Sequence, residues 1–328
     1  MMIRSKSIKD VAVIGAGFSG LSAAAYLAKA GCRVEVFEKN ADLGGRARQL
    51  RTDSGYIFDM GPSWYWMPDV FEKFFADFGQ TPSDFYELKR PEPDFVMVFG
   101  KDDILEIGSG RSSLIETFER IEKGSGDALQ RFLKGAAYKY DVGINNLVYK
   151  PGLSLAEFAD RRLLKGIFRL QVFSSLSAHV QKHFKDPRLQ VLMEFPALFL
   201  GAMPQETPAL YSLMNYACLE LGTWYPLGGF GEVANAMRSV AEQQGVRFNT
   251  GEPVTGFDIN NNHITNIFTS RRTKAFDGVI GAADYHHIDQ ELLKPEFRRY
   301  KPRYWNTRVM APSALIFYLG VKKKVSKL

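Results

Sequence analysis

Val11-Ala12-Val13-Ile14-Gly15-Ala16-Gly17-Phe18-Ser19-Gly20 decides the fold. The first four residues form a short, uninterrupted apolar run, the pattern of a strand buried on both faces. Gly15, Gly17 and Gly20 then fit G-x-G-x-x-G. Each glycine has its own duty in such a loop: a tight turn, close approach of backbone to a pyrophosphate, and close packing of helix on strand. Residues 19–30 are rich in Ala and Leu and predict a helix, which Gly31 ends because glycine enters the left-handed cap cheaply. The helix start, with Phe18 and Ser19, offers free N–H groups and the positive end of a dipole to a diphosphate. Arg33-Val34-Glu35-Val36-Phe37 predicts a second strand, and Glu38 closes it eighteen positions after Gly20. A carboxylate there can accept hydrogen bonds from a ribose diol, so the context turns a weak glycine pattern into a strong βαβ dinucleotide signal.

The same residues also imitate a leader peptide: residues 1–10 are basic, residues 11–28 apolar, and Ala28-Lys29-Ala30 looks like a cleavage site. Glycines 15, 17 and 20 interrupt that apolar region, and the dinucleotide reading accounts for them. After Glu38 the chain runs Lys39-Asn40-Ala41-Asp42-Leu43-Gly44-Gly45-Arg46. Gly44 and Gly45 let the backbone pass close to phosphates, and Arg46 adds a cation.

Further along, residues 69–78 predict a helix, and residues 95–99 and 104–107 a hairpin. Residues 112–222 read as mostly helical. Strands are predicted at 246–249, 254–259, 263–269 and 315–321, with a buried strand at 279–283; Asn260-Asn261-Asn262 supplies a turn. Strand-rich parts at both ends around a helical block imply a discontinuous nucleotide domain, residues 1–85 and 225–290. A substrate- and membrane-facing domain of residues 86–224 and 291–328 is inserted into it.

Hydrophobic residues make up 45% of the 328 and aromatics 13%, with 25 Phe, so a large core or a greasy ligand must cover them. A net charge of +6 argues against a nucleic-acid partner and is compatible with an anionic cofactor or membrane surface. Cys32 and Cys218 are the only cysteines; neither a disulfide framework nor a zinc site follows, and a reducing cytosol is the simplest setting. The five histidines show no metal-ligand spacing, so no metal is expected. No apolar run reaches the roughly eighteen residues of a membrane-spanning helix.

The Gly44-Gly45-Arg46 segment resembles a signature shared by amine oxidases, protoporphyrinogen oxidases and carotenoid desaturases. Phe58-Asp59-Met60-Gly61-Pro62-Ser63-Trp64 is similar to the Asp-x-Gly-Pro-Ser/Thr segment of phytoene desaturases, and Trp224-Tyr225-Pro226-Leu227-Gly228-Gly229 to their Tyr/Phe-Pro-x-Gly-Gly segment. Residues 277–284 resemble their strand ending in Ala-Asp, and residues 313–320 the next strand. The resemblance to the phytoene desaturase family thus runs along essentially the whole chain. It implies an α/β fold: a Rossmann-like FAD-binding domain with an inserted, largely helical substrate domain, as in amine oxidase-like flavoproteins. It implies FAD as cofactor, with Lys39, Gly61, Pro62, Ser63, Val254 and Asp284 joining the glycines, Glu38 and Arg46 around it.

The implied reaction is desaturation of a C40 polyisoprenoid hydrocarbon, phytoene towards lycopene, in carotenoid biosynthesis. A hydride goes to flavin N5 and a proton leaves the neighbouring carbon. Such a substrate is held by apolar burial alone; Phe168, Phe173, Phe195, Leu198, Phe199 and Leu200 are candidate linings or ordinary core. Glu157 stands where related desaturases carry an acidic residue and is the candidate catalytic group, although Ser154-x-x-Glu157 also reads as a capping box. With no second dinucleotide fingerprint, oxygen or a quinone is the expected electron acceptor. The substrate dissolves in lipid, so a cytoplasmic protein bound peripherally to the inner face of the cell membrane is expected, with residues 161–184 as a basic amphipathic anchor. Family members are longer and finish in a Pro-Gly-x-Gly-like segment, whereas this sequence ends Val325-Ser326-Lys327-Leu328; weaker flavin retention is expected without that segment. A hydroxycarotenoid 3,4-desaturase, an amine oxidase on the same scaffold and an inactive truncated fragment are the alternatives.

Overall fold

The computed structural model describes residues 9–150, 154, 170–311 and 313–322. Its centre is a four-stranded parallel sheet. Strand β1 (Asp10–Ile14) lies between Gly278–Gly281 and β2 (Arg33–Glu38), and Arg247–Thr250 pairs with the far side of β2. Helix α1 (Phe18–Lys29) connects β1 to β2, the crossover a parallel pair needs. It ends as expected: Gly31 has φ +91° and donates its N–H to the Ala28 carbonyl.

The apolar run of β1 serves two cores. Val11 and Val13 pack with Leu21, Ala24 and Ala25 of α1 and with Val233, Met237 and Val240 of helix Phe230–Gln243. Ala12 and Ile14 point the other way, toward Phe257, Ile267 and Leu292 under a three-stranded antiparallel sheet of Val254–Asn260, His263–Thr269 and Thr273–Ala275. Alternation along a strand with both faces covered yields a continuous hydrophobic run. The helical block has its own core, in which Phe118, Phe132 and Phe184 pack beneath the hairpin Phe95–Gly100/Asp103–Ile107.

Three expectations need correcting. The predicted buried strand at 279–283 is an edge strand, Gly278–Gly281, and Ile280 is 39% exposed. The predicted strand at 315–321 forms no ladder among the described residues; Tyr56 Oη donates to the Val321 carbonyl, and the Tyr318 ring lies 5.4 Å from Phe58. The proposed continuous helix over 161–184 is broken. Gln171 takes φ +53°, and Ser175 caps a new helix, Leu176–Gln181, by accepting from the Ala178 N–H. Leu170 and Phe184, which a lipid-facing helix would expose, are buried, Phe184 in the core of the helical block, while Phe173 is exposed. Residues 161–169 lie outside the described residues.

Candidate functional site: a dinucleotide cleft

Gly15 turns sharply out of β1 at φ +97°, and its N–H donates to the Phe37 carbonyl at the end of β2. A Cβ on Gly20 would stand 2.0 Å from the Gly15 carbonyl oxygen, so the third glycine lets α1 lie on the loop. Gly17 is the N-cap of α1 and brings no side chain to the helix's first N–H groups, which are left for an anion.

A second loop closes on the first. The Gly44 N–H donates to the Ala16 carbonyl at 2.8 Å. A Cβ on Gly45 would meet the Gly17 Cα at 3.0 Å, so the two glycine loops touch backbone to backbone. Gly61 continues the stack: a Cβ there would lie 2.1 Å from the Arg46 carbonyl oxygen. The hairpin β3 (Gln49–Arg51)/β4 (Ile57–Asp59) carries the chain between them, and Asp59 Oδ1 accepts from the Phe230 N–H at 2.9 Å.

Between these loops opens a cleft of about 920 Å³. Gly15, Gly17, Phe18 and Ser19 form its floor, and Gly44, Gly45 and Arg46 one wall. Glu38 and Lys39 stand at the end of β2, and Pro62, Val254 and Asp284 complete the rim. Gly20, Gly61 and Ser63 do not line it; the first two are packing positions, and Ser63 is exposed beside Pro62. Glu157 lies outside the described residues. Among the described residues no cluster of metal-ligating side chains occurs.

Glu38 is buried, yet its carboxylate is tied down. Oε2 accepts from the Ala16 N–H at 2.9 Å, and Oε1 from the Asn40 backbone and side chain. It thus holds the glycine loop while one edge faces the cleft. Asp284 similarly caps the turn after its strand, accepting from the His287 N–H at 3.1 Å.

Sequence reasoning missed Asn40, Arg48, Pro253, Tyr285 and His287, all on the cleft wall. Arg48 had a readable signal, a second arginine two positions after Arg46; its Nε donates to the Gly45 carbonyl at 3.0 Å and steadies the loop. Tyr285 had none, because only the turn at Asp284 brings it round. Lys39, Arg46 and Arg48 make no ion pair among the described residues, so three cations and the Glu38 carboxylate line one cleft. A diphosphate dinucleotide fits this donor set: bare backbone for the phosphates, cations without a carboxylate partner, and a carboxylate for the diol.

Residues 18–327 match the family described as flavin containing amine oxidoreductase. The chain belongs to that family. The cofactor of this flavoprotein is FAD. The flavoprotein is 38% identical to a carotenoid 3,4-desaturase of Haloarcula japonica, over 98% of its own length and 65% of the relative's. It is 31% identical to a zeta-carotene-forming phytoene desaturase of Myxococcus xanthus, over 100% and 63%. It thus spans just under two thirds of these relatives. Among solved structures, a Pyrococcus furiosus protein matches with TM-score 0.59 at 16% identity, covering 92% of the flavoprotein and 66% of that chain. Cyclohexylamine oxidase from Brevibacterium oxydans matches with TM-score 0.54 at 17% identity, covering 87% and 60%. These two likenesses concern the fold.

Proposed function

We propose that this flavoprotein is a carotenoid desaturase acting on CH–CH groups of a C40 polyisoprenoid hydrocarbon of the phytoene type. The observation that carries the reading is the 38% identity to a carotenoid 3,4-desaturase along 98% of the chain. FAD, when bound, supplies the two-electron acceptor for a hydride. The chain's own residues bind and orient it: Gly15, Gly17, Phe18 and Ser19 at the diphosphate, Glu38 and Lys39 at the adenosine ribose, Gly44, Gly45 and Arg46 across the phosphates, and Pro62, Val254 and Asp284 at the walls, with Ser63 exposed just outside them. Gly20 and Gly61 keep the loops in contact. Glu157 remains the proposed acidic group near the reacting carbon.

In this reading residues 1–85 and 225–290 hold the cofactor, and residues 86–224 and 291–328 meet substrate and membrane. The protein works from the cytoplasm in peripheral contact with the inner face of the cell membrane, and a quinone or oxygen takes the electrons. Among the described residues no helix is long and apolar enough to cross a membrane, which is compatible with such contact.

The test is turnover by FAD-saturated protein given phytoene in liposomes with a quinone. Longer-wavelength polyene absorption, with quinone reduced in equal amount, is expected. The Haloarcula relative favours a second reading, 3,4-desaturation of a hydroxycarotenoid, so that substrate forms a parallel arm. Oxidation of an alkylamine with no new polyene from either carotenoid would overturn both.

A further inference from the structure

Next to the cofactor cleft lies a second concavity of about 250 Å³, between the hairpin Phe95–Gly100/Asp103–Ile107 and the tight helix Phe195–Leu200. Every side chain lining it is apolar; Trp64, Phe95, Val98, Phe99, Val191 and Phe195 form most of the wall. The Trp64 ring lies 5.9 Å from Phe95 and 5.5 Å from Phe195, and Phe199 extends the cluster at 5.5 Å from Phe195. The rim stays open to solvent, with Val98 68% and Phe199 55% exposed. Single exposed hydrophobics are ordinary, but an aromatic-lined hollow with an apolar rim marks a binding surface.

Its position assigns the occupant. Pro62 lines the cofactor cleft and Trp64 lines the groove. Two residues of extended chain span at most about 7 Å, so one short segment is the wall of both. That wall is fixed: Tyr65 and Trp224 exchange backbone N–H···O bonds of 2.8 and 3.1 Å, and the buried Tyr65 hydroxyl meets that of Tyr86 at 2.9 Å. A ligand in the groove is therefore held at a set distance from the cofactor. The groove offers no charge to a polar ligand, and its volume is below the roughly 300 Å³ at which drug-sized pockets begin, so it suits one segment of a long apolar chain.

We propose that this groove holds one end of an extended, uncharged polyisoprenoid hydrocarbon whose reacting carbons lie at the cofactor cleft, with Trp64 at the boundary. This rests on the desaturase reading above. The probe is diphenylhexatriene, a neutral polyene hydrocarbon that fluoresces only out of water, added without lipid to the FAD-saturated chain. Saturable fluorescence, displaced by squalene, is expected. Val98→Lys and Phe199→Asp, both at exposed positions, should each weaken it at least tenfold with flavin content and melting temperature unchanged. Equal probe binding in the parent and both variants overturns the proposal. So does displacement by an alkylammonium ion but not by squalene, or a loss of vesicle flotation in the variants with probe binding intact. Probe binding that both variants weaken, without turnover of either carotenoid, keeps the groove and removes the desaturase reading. Phytoene turnover at parental rate in both variants keeps the desaturase reading and removes the groove.

Discussion

Glu38 has two tasks, and they can be separated. Its carboxylate pins the Ala16 N–H and Asn40, and it faces the cleft, where we propose it holds the adenosine ribose. Losing a hydrogen bond to a charged group costs about 1–3 kcal/mol. Glu38→Ala should therefore weaken FAD binding by about that amount in a flavin-fluorescence titration. Glu38→Gln retains an acceptor for the Ala16 N–H and should recover thermal stability better than affinity. Unchanged affinity in both variants would remove Glu38 from the ribose. Lys139 is a residue that sequence alone could not single out. It is buried, and its ammonium donates to Gln171 Oε1, the Ala209 carbonyl and Ser212 Oγ, with no carboxylate in ion-pair reach among the described residues. Burial pushes its pKa down to about 8, and neighbouring His179, likewise buried, down to about 3. Between pH 8 and 10.5 the unfolded chain binds more protons at this lysine than the folded one, so stability rises with pH in that window. Denaturant melts at pH 7.5 and 10 should show the parent gaining on the order of 3 kcal/mol relative to Lys139→Met. Parallel pH dependence would show that the ammonium is solvated.

At the scale of elements, sequence and structure agree where the pattern is local. β1, α1 and β2 lie within one or two residues of their predicted bounds, because periodicity and the glycine cap are properties of the chain itself. The triplet at 260–262 was legible for the same reason. Asn260 pairs with His263, leaving Asn261 and Asn262 as a two-residue hairpin loop with φ +50° and +60°. Such a turn favours Asn-Gly. Asn262→Gly should raise the melting temperature slightly, and Asn262→Val should lower stability by roughly 1–2 kcal/mol, the cost of forcing a branched residue left-handed. A Val variant as stable as the parent would mean that the loop rearranges. The helix over 161–184 failed because amphipathic spacing cannot reveal that Gln171 turns left-handed or that Ser175 starts a second helix.

At the scale of the molecule, the cleft gathers the first βα turn, the loop after β2, the Gly61 segment, the start of the antiparallel sheet and the turn after Gly278–Gly281. Their sequence separation exceeds 260 residues, so FAD should act as a clasp between the two ends of the fold. A ligand that binds only the folded state adds RT ln(1 + [L]/Kd), or about 2.7 kcal/mol at a hundredfold excess over Kd. Melting scans with increasing FAD should show a saturable rise, with the 270–290 region gaining protection from proteolysis along with residues 10–50. Protection confined to the N-terminal half would mean that the rim at Val254 and Asp284 does not close on the cofactor.

The sequence alone determined the glycine loop, its acid at Glu38, the Gly-Gly-Arg segment and the alternation of strand-rich and helical regions. Each is written in spacing within a few turns of chain, where sterics and hydrogen bonding act locally. Only the tertiary structure decided which glycines face the cleft and which serve packing. Gly20 and Gly61 are packing positions, where a Cβ would run into a backbone carbonyl oxygen at 2.0 and 2.1 Å, whereas Gly15, Gly17 and Gly45 line the cleft. It also decided that Tyr285 and Arg48 reach the site, that Ile280 lies on an edge, and that Trp64 stands between cleft and groove. Those outcomes depend on which distant segments share a wall, and that is settled by how two sheets and a helical block bury their apolar faces together.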